Sequence, residues 1–201
     1  LSISDVLIDN FKPGTLEKYG FSSSFLKKKF PSLIQTKISG FGETGPLKEN
    51  PAYDMIVQAM GGIMSITGKD KNETYRVGSS IGDIVAGLYA VIGVLTQIIF
   101  RNQSKKGSRL DLSMLDCQVA ILENAIARYS VEKKIPCPLG TDHPSITPFG
   151  AFKTLDGTLA IAIGNNKMFK DFCYSIKNEE LHKKKKYENN AKRNKNLSDL
   201  R

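Results

Sequence analysis

Asp116 is the residue whose type and position are best suited to covalent chemistry. It stands three residues after Ser113, where a strand pattern gives way to a helix pattern. Spacing alone favours a structural role, because Ser-x-x-Asp is close to a capping box that closes the first turn of a helix. The alternative is a nucleophile: the helix dipole favours an ionised carboxylate there, and α/β folds place ligands at strand-to-helix turns. Both interpretations stay open on these residues alone.

The other nucleophilic side chains are three cysteines, Cys117, Cys137 and Cys173. They are widely spaced, form no C-x-x-C pair, and only His143 and His182 could join them as metal ligands. Neither a disulfide framework nor a metal site is therefore expected, and a reducing intracellular compartment is the default. We expect all three cysteines to be buried packing residues.

A glycine motif follows the second predicted strand. Gly40, Gly42 and Gly45 match the G-x-G-x-x-G fingerprint of dinucleotide-binding folds. That fingerprint requires the loop to open a helix whose N-terminus faces the pyrophosphate. Pro46 and Pro51 leave no room for a helix there. We interpret the segment as a loop and do not expect a nicotinamide dehydrogenase.

The elements that must position Asp116 alternate in type along the chain. The apolar patterns predict strands over 5–10, 33–39 and 108–113, and helices over 22–30, 53–60, 81–100 and 114–129. In the last helix one buried face is expected, formed by Leu115, Val119, Leu122, Ile126 and Tyr129. This alternation predicts a large α/β domain over residues 1–134.

The helix over 81–100 is apolar enough to raise the question of a membrane span. Residues 84–100 carry no charge, but Asp83 and Arg101 bound the run and Gln97 interrupts it. It also falls slightly short of the usual span of about 20 residues. We interpret it as a core helix and expect no membrane partner.

From residue 135 the composition changes to a linker rich in proline and glycine. Asp156-Gly157 is the strongest hairpin signal in the chain, and helices are expected from Asn165 to Ile176 and in the lysine-rich end. Residues 135–201 are therefore predicted to be a linker and the start of a small α+β domain.

The net charge of +9 is concentrated at the C-terminal end. Residues 177–201 hold nine Lys/Arg against four Asp/Glu, a net +5, leaving +4 for the first 176 residues. Such a run is typical of a solvated helix face or tail. No interleaved aromatic residues accompany it, so we do not expect nucleic acid as a partner.

Four stretches carry a family resemblance: DVLIDNFKPG at 5–14, ISGFGETGP at 38–46, YDMIVQAMGG at 53–62 and GSRLDLSMLD at 107–116. They resemble the class III CoA-transferases (the CaiB/BaiF or formyl-CoA transferase type), and most nearly the succinyl-CoA:glutarate branch. The resemblance implies an α/β fold, with a Rossmann-like large domain that is incomplete here, a small α+β domain and interlocked homodimers. It also implies that the chain lacks the family's N- and C-terminal segments.

The same resemblance implies a site and a reaction. Asp116 matches the catalytic aspartate, which passes CoA between acids through an anhydride and an aspartyl-CoA thioester. The implied substrates are a succinyl-CoA-like donor and a glutarate-like acceptor, with no tightly bound cofactor and no metal. The positions that match CoA contacts are Asn10, Phe11, Lys12, Lys18, Asn50, Pro51, Ala52 and Tyr53. For Lys12 and Lys18, a solvated lysine remains an equal alternative.

Three questions are left open by the resemblance. His143 could orient the acceptor carboxylate, although a hydrogen bond within a turn is favoured. An α-methylacyl-CoA racemase would have histidine where Tyr53 stands and glutamate where Asp116 stands, and a tyrosine does not readily exchange its proton at neutral pH. Asp83 matches the racemase's other catalytic residue, but a cap at a helix start is the favoured reading. The last alternative is that the chain is a non-catalytic truncated product.

The expected compartment is the mitochondrion in a eukaryote and otherwise the cytoplasm.

Overall fold

The computed structural model describes residues 1–201. The chain forms two compact units, one of residues 1–68 and 74–137, the other of residues 69–73 and 138–201. Its strands are β1 (Val6–Asp9), β2 (Ile34–Ser39), β3 (Gly68–Asp70), β4 (Glu73–Thr74), β5 (Arg109–Ser113), β6 (Phe149–Lys153) and β7 (Thr158–Ala162).

Helices make up most of the remaining regular structure. The first unit contains α1 (Thr15–Lys18), α2 (Ser23–Lys29), α3 (Asp54–Met60), α4 (Ile63–Ile66), α5 (Ile81–Ser104), α6 (Met114–Ala120) and α7 (Glu123–Glu132). The second contains α8 (Asn166–Ser175), α9 (Glu180–Lys183), α10 (Asn190–Lys195) and α11 (Leu197–Leu200), with a 3₁₀ turn at Lys185–Tyr187. The sequence did not predict α1, α4 or the short β3–β4 pair.

A parallel sheet in the order β1-β2-β5 forms the centre of the first unit. Leu7 pairs with Gln35, and Lys37 pairs with Asp111. Because side chains alternate across a strand, the sheet has two different faces. One is apolar and packs against α5 and α6 in a core of Val57, Val85, Ala86, Met114 and Cys117, with Ile38 and Leu112 against it. The other is polar and carries Asp9, Gln35, Lys37, Arg109 and Asp111.

Only one side of α5 is covered. Gly82, Val85, Ala86 and Ala90 are buried, whereas the opposite side exposes a row of large apolar side chains: Ile84, Leu88, Val91, Ile92, Leu95 and Ile99. The helix is long and apolar enough to cross a membrane, and 22% of its apolar window is buried. The interpretation as a core helix therefore holds for its inner side and not for its outer side.

The predicted helix over 114–129 is wrong in two respects. It is divided at Ile121 and Leu122 into α6 and α7, and Glu123 has a positive φ of 20°. The predicted buried face is also wrong, because Val119, Ile126 and Tyr129 are between 40% and 49% exposed. Once the helix is interrupted, α7 no longer continues the packed side of α6, which consists of Met114, Cys117 and Gln118.

In the second unit β6 and β7 form the predicted antiparallel hairpin, with Ala151 opposite Ala160. Its core is Ile163, Phe169, Cys173 and Tyr187. Arg193, which the sequence placed on a solvated face, is fully buried: it donates to the Thr147 carbonyl (2.8 Å) and the Tyr187 carbonyl (3.2 Å) and lies over the Phe169 ring. The expectation for cysteines is also wrong at Cys137, which is exposed; Cys117 and Cys173 are buried.

Candidate active site

The three strands of the sheet end together, and their last residues form one edge of the first unit. Asn10 follows β1 and donates from Nδ2 to the Ile38 carbonyl at 2.9 Å. After β2, Gly40 approaches Ala52 so closely that an added Cβ would lie 2.5 Å from the Ala52 Cβ. The Gly40 carbonyl in turn accepts from the backbone N–H of Leu115 at 3.1 Å. This is the edge at which open α/β sheets bind ligands.

A cavity of about 410 Å³ opens at this edge, which we call the edge cavity. It is lined by Asn10, Lys12, Pro13, Ile38, Ser39, Gly40, Asn50, Pro51, Ala52, Tyr53, Asp83, Ala86, Gly87 and Met114. Its size falls within the usual range for small-molecule sites. Its lining comes from five separate stretches of the first unit, 10–13, 38–40, 50–53, 83–87 and Met114, so the fold is what assembles it.

Most of the residues predicted to contact CoA come together here. Those that line the edge cavity are Asn10, Lys12, Asn50, Pro51, Ala52 and Tyr53. Phe11 and Lys18 do not line it. The Phe11 carbonyl accepts from Lys37 Nζ at 3.0 Å while its ring is 55% exposed. Lys18 ends α1 as an exposed side chain, as expected of a solvated lysine.

Asp116 lies in the first turn of α6, directly after β5. Ser113 is the N-cap, and its Oγ accepts from the Asp116 backbone N–H at 3.1 Å. This is one half of the capping box; the Asp116 carboxylate makes no return bond and is exposed. The cap therefore uses the backbone of Asp116 and leaves its carboxylate available. Asp116 does not itself line the edge cavity, but Met114, two residues earlier, does.

Cys117, the neighbour of Asp116, is poorly suited to nucleophilic chemistry. Its side chain is buried, and burial raises the pKa of the thiol. The adjacent charge of Asp116 raises this pKa further. Because the thiolate is the reactive form, both effects suppress Cys117 at neutral pH. Of these two neighbouring candidate nucleophiles, the environment favours Asp116.

Asp54 is a buried carboxylate that fixes the start of α5. It is 8% exposed, and its Oδ1 accepts from the Gly82 backbone N–H at 2.8 Å. Its Oδ2 accepts from Gln58 Nε2 at 2.8 Å, and Gln58 Oε1 accepts from the Val77 N–H at 2.8 Å. The sequence assigned the cap at the start of α5 to Asp83, which is incorrect, since the bond comes from Asp54 on α3. The Asp54–Gln58 spacing of four residues was the available signal for this cluster.

Asp83 instead lines the edge cavity. The residue is exposed as a whole, but partial burial of its carboxyl raises the pKa of that group, and the nearby charge of Asp54 raises it further. Perturbed acids of this kind concentrate at functional sites, although ion-pair networks also produce them. Asp83 is thus the one carboxylate in a cavity whose only basic lining residue is Lys12.

The polar face of the sheet forms a second cavity of about 300 Å³. At its floor Lys37 Nζ lies 2.6 Å from Asp9 Oδ1, with both side chains more than 90% buried. Arg109 is paired with Glu43, and this bond raises the pKa of the guanidinium. Sequence reasoning missed these pairs, because the partners lie 28 and 66 residues apart in the chain.

His143 belongs to the second unit. Its Nδ1 accepts from the Ser145 backbone N–H at 3.2 Å, and its ring contacts Phe149 with centroids 5.0 Å apart. These are the contacts of the turn interpretation. A role toward an acceptor acid stays a prediction.

Comparison with known proteins connects this geometry to a family. The profile of CoA-transferase family III matches residues 1–201, the whole chain. The chain belongs to CoA-transferase family III. The family III resemblance in its four motifs is thereby confirmed, as is the α/β fold.

Two family III relatives illustrate the range of acids. The acetyl-CoA:oxalate CoA-transferase of Acetobacter aceti is 40% identical over 179 residues, which are 89% of this chain and 46% of that protein. The succinate–glutarate CoA-transferase of Agrobacterium fabrum is 39% identical over 170 residues, 85% of this chain and 42% of that protein.

A solved structure supports the same fold. A CaiB/BaiF family protein from Brucella suis superimposes with a TM-score of 0.86 at 38% identity, covering 98% of this chain and 52% of that one. The chain spans about half the length of the curated relatives it matches.

Proposed function

We propose that this protein transfers coenzyme A between carboxylic acids, with Asp116 as the covalent nucleophile. The observation that carries the proposal is an exposed carboxylate in the first turn of α6, unused by the cap, at the sheet edge where the edge cavity opens. Membership of family III supports it. The edge cavity holds the CoA thioester, with Asn10, Lys12 and Tyr53 among its contacts.

The proposed transfer needs no proton donor or acceptor in any of its steps. The Asp116 carboxylate attacks the thioester carbonyl, the C–S bond breaks, and a mixed anhydride and CoA thiolate form. The thiolate attacks the aspartyl carbonyl, which releases the donor acid as a carboxylate and leaves an aspartyl-CoA thioester. The acceptor carboxylate then attacks this thioester, which breaks its C–S bond and gives a second mixed anhydride and CoA thiolate. The thiolate attacks the acceptor's carbonyl in that anhydride, which forms the new acyl-CoA and releases the Asp116 carboxylate. Holding the partners together makes each step effectively intramolecular.

We further propose a dicarboxylate exchange, with succinyl-CoA as donor and glutarate as acceptor. It rests on the similarity to the succinate–glutarate enzyme. Because the acetyl-CoA:oxalate CoA-transferase is similarly close, the acceptor should be tested as a panel of glutarate, succinate and oxalate. As for family III in general, the proposed active form is a homodimer, acting in an intracellular compartment.

The decisive experiment is trapping of the intermediate. Protein incubated with succinyl-CoA and then hydroxylamine should carry a hydroxamate on Asp116, detected by peptide mass spectrometry. Asp116→Asn should abolish the adduct and lower turnover by at least about a thousandfold. Asp171→Asn, an equal charge change at an exposed helix position in the second unit, is the control. Turnover without any adduct on Asp116 would refute the mechanism.

A further inference from the structure

Asp83 is the group in the edge cavity that the proposed mechanism leaves without a role. It lines the cavity one turn before Ala86 and Gly87, which line it as well. Residues three and four apart share one side of a helix, so these three form a single strip of the wall. A Cβ added to Gly87 would meet nothing within 4 Å, so the strip is open to a ligand.

The negative charge of Asp83 restricts the part of a substrate that it can bind. The substrate meant here is the CoA thioester of the proposed function, on which this inference rests. A carboxylate repels the phosphates of CoA and the carboxylates of both acids. The groups of a CoA thioester that it attracts are hydrogen-bond donors, and the amide N–H groups of the pantetheine arm are the donors nearest the reacting sulfur. A narrow strip bordered by alanine and glycine fits an unbranched chain of this kind. We propose that the Asp83 carboxylate accepts a hydrogen bond from an amide N–H of the pantetheine arm.

The surroundings of Asp83 indicate why such a donor would be bound well. On α3, both carboxylate oxygens of Asp54 are occupied, because they accept bonds from the Gly82 N–H and from Gln58 Nε2. The charge of Asp54 disfavours the ionised form of Asp83 and raises its pKa. Tyr53 and Lys12 line the same cavity, and α6, which packs on α5, carries Asp116. An N–H donor would favour ionised Asp83, so affinity should fall as pH drops below its raised pKa.

Calorimetric titration with CoA itself tests the contact without requiring transfer. Asp83→Ala should weaken CoA binding about 10- to 100-fold, the loss of one hydrogen bond to a charged group. Asp83→Asn should lose less, because its amide oxygen still accepts, and it should abolish the decline in affinity at acid pH. Dephospho-CoA should show the same loss, because the contact is on the arm. Asp171→Ala is the control for charge.

Several results would overturn this assignment, and they separate it from the proposed function. Equal CoA binding by wild type and both Asp83 variants would exclude the contact while leaving family chemistry intact. If the Asp83 variants lose affinity for CoA but not for dephospho-CoA, Asp83 would lie at the nucleotide end of the ligand. Tighter CoA binding by Asp83→Ala would make Asp83 a repulsive filter instead. A wild-type protein that binds no CoA would refute the proposed function first, and this contact with it.

Discussion

Replacing Asp54 by alanine should loosen the start of α5 and with it the wall of the edge cavity. The carboxylate accepts two bonds of 2.8 Å, one from the Gly82 N–H and one from Gln58. Without it the buried Gly82 N–H has no acceptor, at a cost of about 1–3 kcal/mol. Gln58 Nε2 keeps only longer bonds to the Val77 carbonyl (3.4 Å) and the Ser79 carbonyl (3.3 Å).

A partial offset comes from Asp83, which is relieved of a nearby charge. We therefore expect the local stability of the start of α5 to fall by about 2 kcal/mol, because one N–H is left without an acceptor and one amide contact is weakened. Asp54→Asn should lose less, about 1 kcal/mol, since its oxygen can still accept from Gly82. A larger loss of stability in Asp54→Ala than in Asp54→Asn would indicate that the lost acceptor is responsible, whereas equal losses would indicate the lost charge.

Amide hydrogen exchange at Gly82 is the appropriate assay, because a chain of two compact units need not unfold in one step. A loss of 2 kcal/mol corresponds to about 30-fold faster exchange at this amide. Amides of the second unit, and those of an Asp171→Ala control, should not change. Unchanged protection of Gly82 in Asp54→Ala would show that the Asp54 bond does not hold the helix start.

Three further predictions follow from burial and charge. A thiol reagent at neutral pH should label the exposed Cys137 fast and the buried Cys117 and Cys173 slowly, as peptide mapping would show; equal rates would contradict the packing. Arg193→Met should destabilise the second unit by about 3 kcal/mol in urea unfolding, because the Thr147 and Tyr187 carbonyls lose their donor, and an unchanged midpoint would refute this. Asp83→Asn should stabilise the protein at pH 7, because a raised carboxyl pKa destabilises the folded state at higher pH, and the gain should vanish as pH falls below the ordinary value of 3.8. Urea unfolding of both proteins across this pH range would show it, and a difference that does not change with pH would contradict it.

The strands and the long helix could be predicted from the sequence because the patterns that indicate them are local. β1, β2 and β5 are short apolar runs bounded by turn residues, and α5 is a long apolar run. The division between α6 and α7 was not readable, since Leu115, Val119 and Leu122 keep helical spacing across it. Periodicity reports which residues share a side of an ideal helix, but not where packing interrupts that helix.

The motifs of the sequence predicted which residues of the candidate site lie together better than they predicted its tertiary partners. Six of the eight positions matched to CoA contacts line the edge cavity, whereas Phe11 and Lys18 do not. Tertiary partners were not readable: Asp9 with Lys37, and Asp54 with the start of α5, join residues 28 positions apart. Arg193 was misread for the same reason, since a charge run in sequence does not show which member turns into the core.

The carboxylates around α3, α5 and α6 differ in what surrounds them, and this difference supports the roles that we propose for them. Asp54 is buried with both oxygens occupied, so it can stabilise structure but cannot approach a substrate. Asp83 faces the edge cavity with a raised pKa, so its ionised form gains most from a ligand that donates a hydrogen bond. Asp116 is exposed, and the Ser113 bond to its backbone fixes its position without engaging its carboxylate. A nucleophile needs this combination of a held main chain and a free side chain, which is why we propose the covalent step for Asp116 rather than for Asp54 or Asp83.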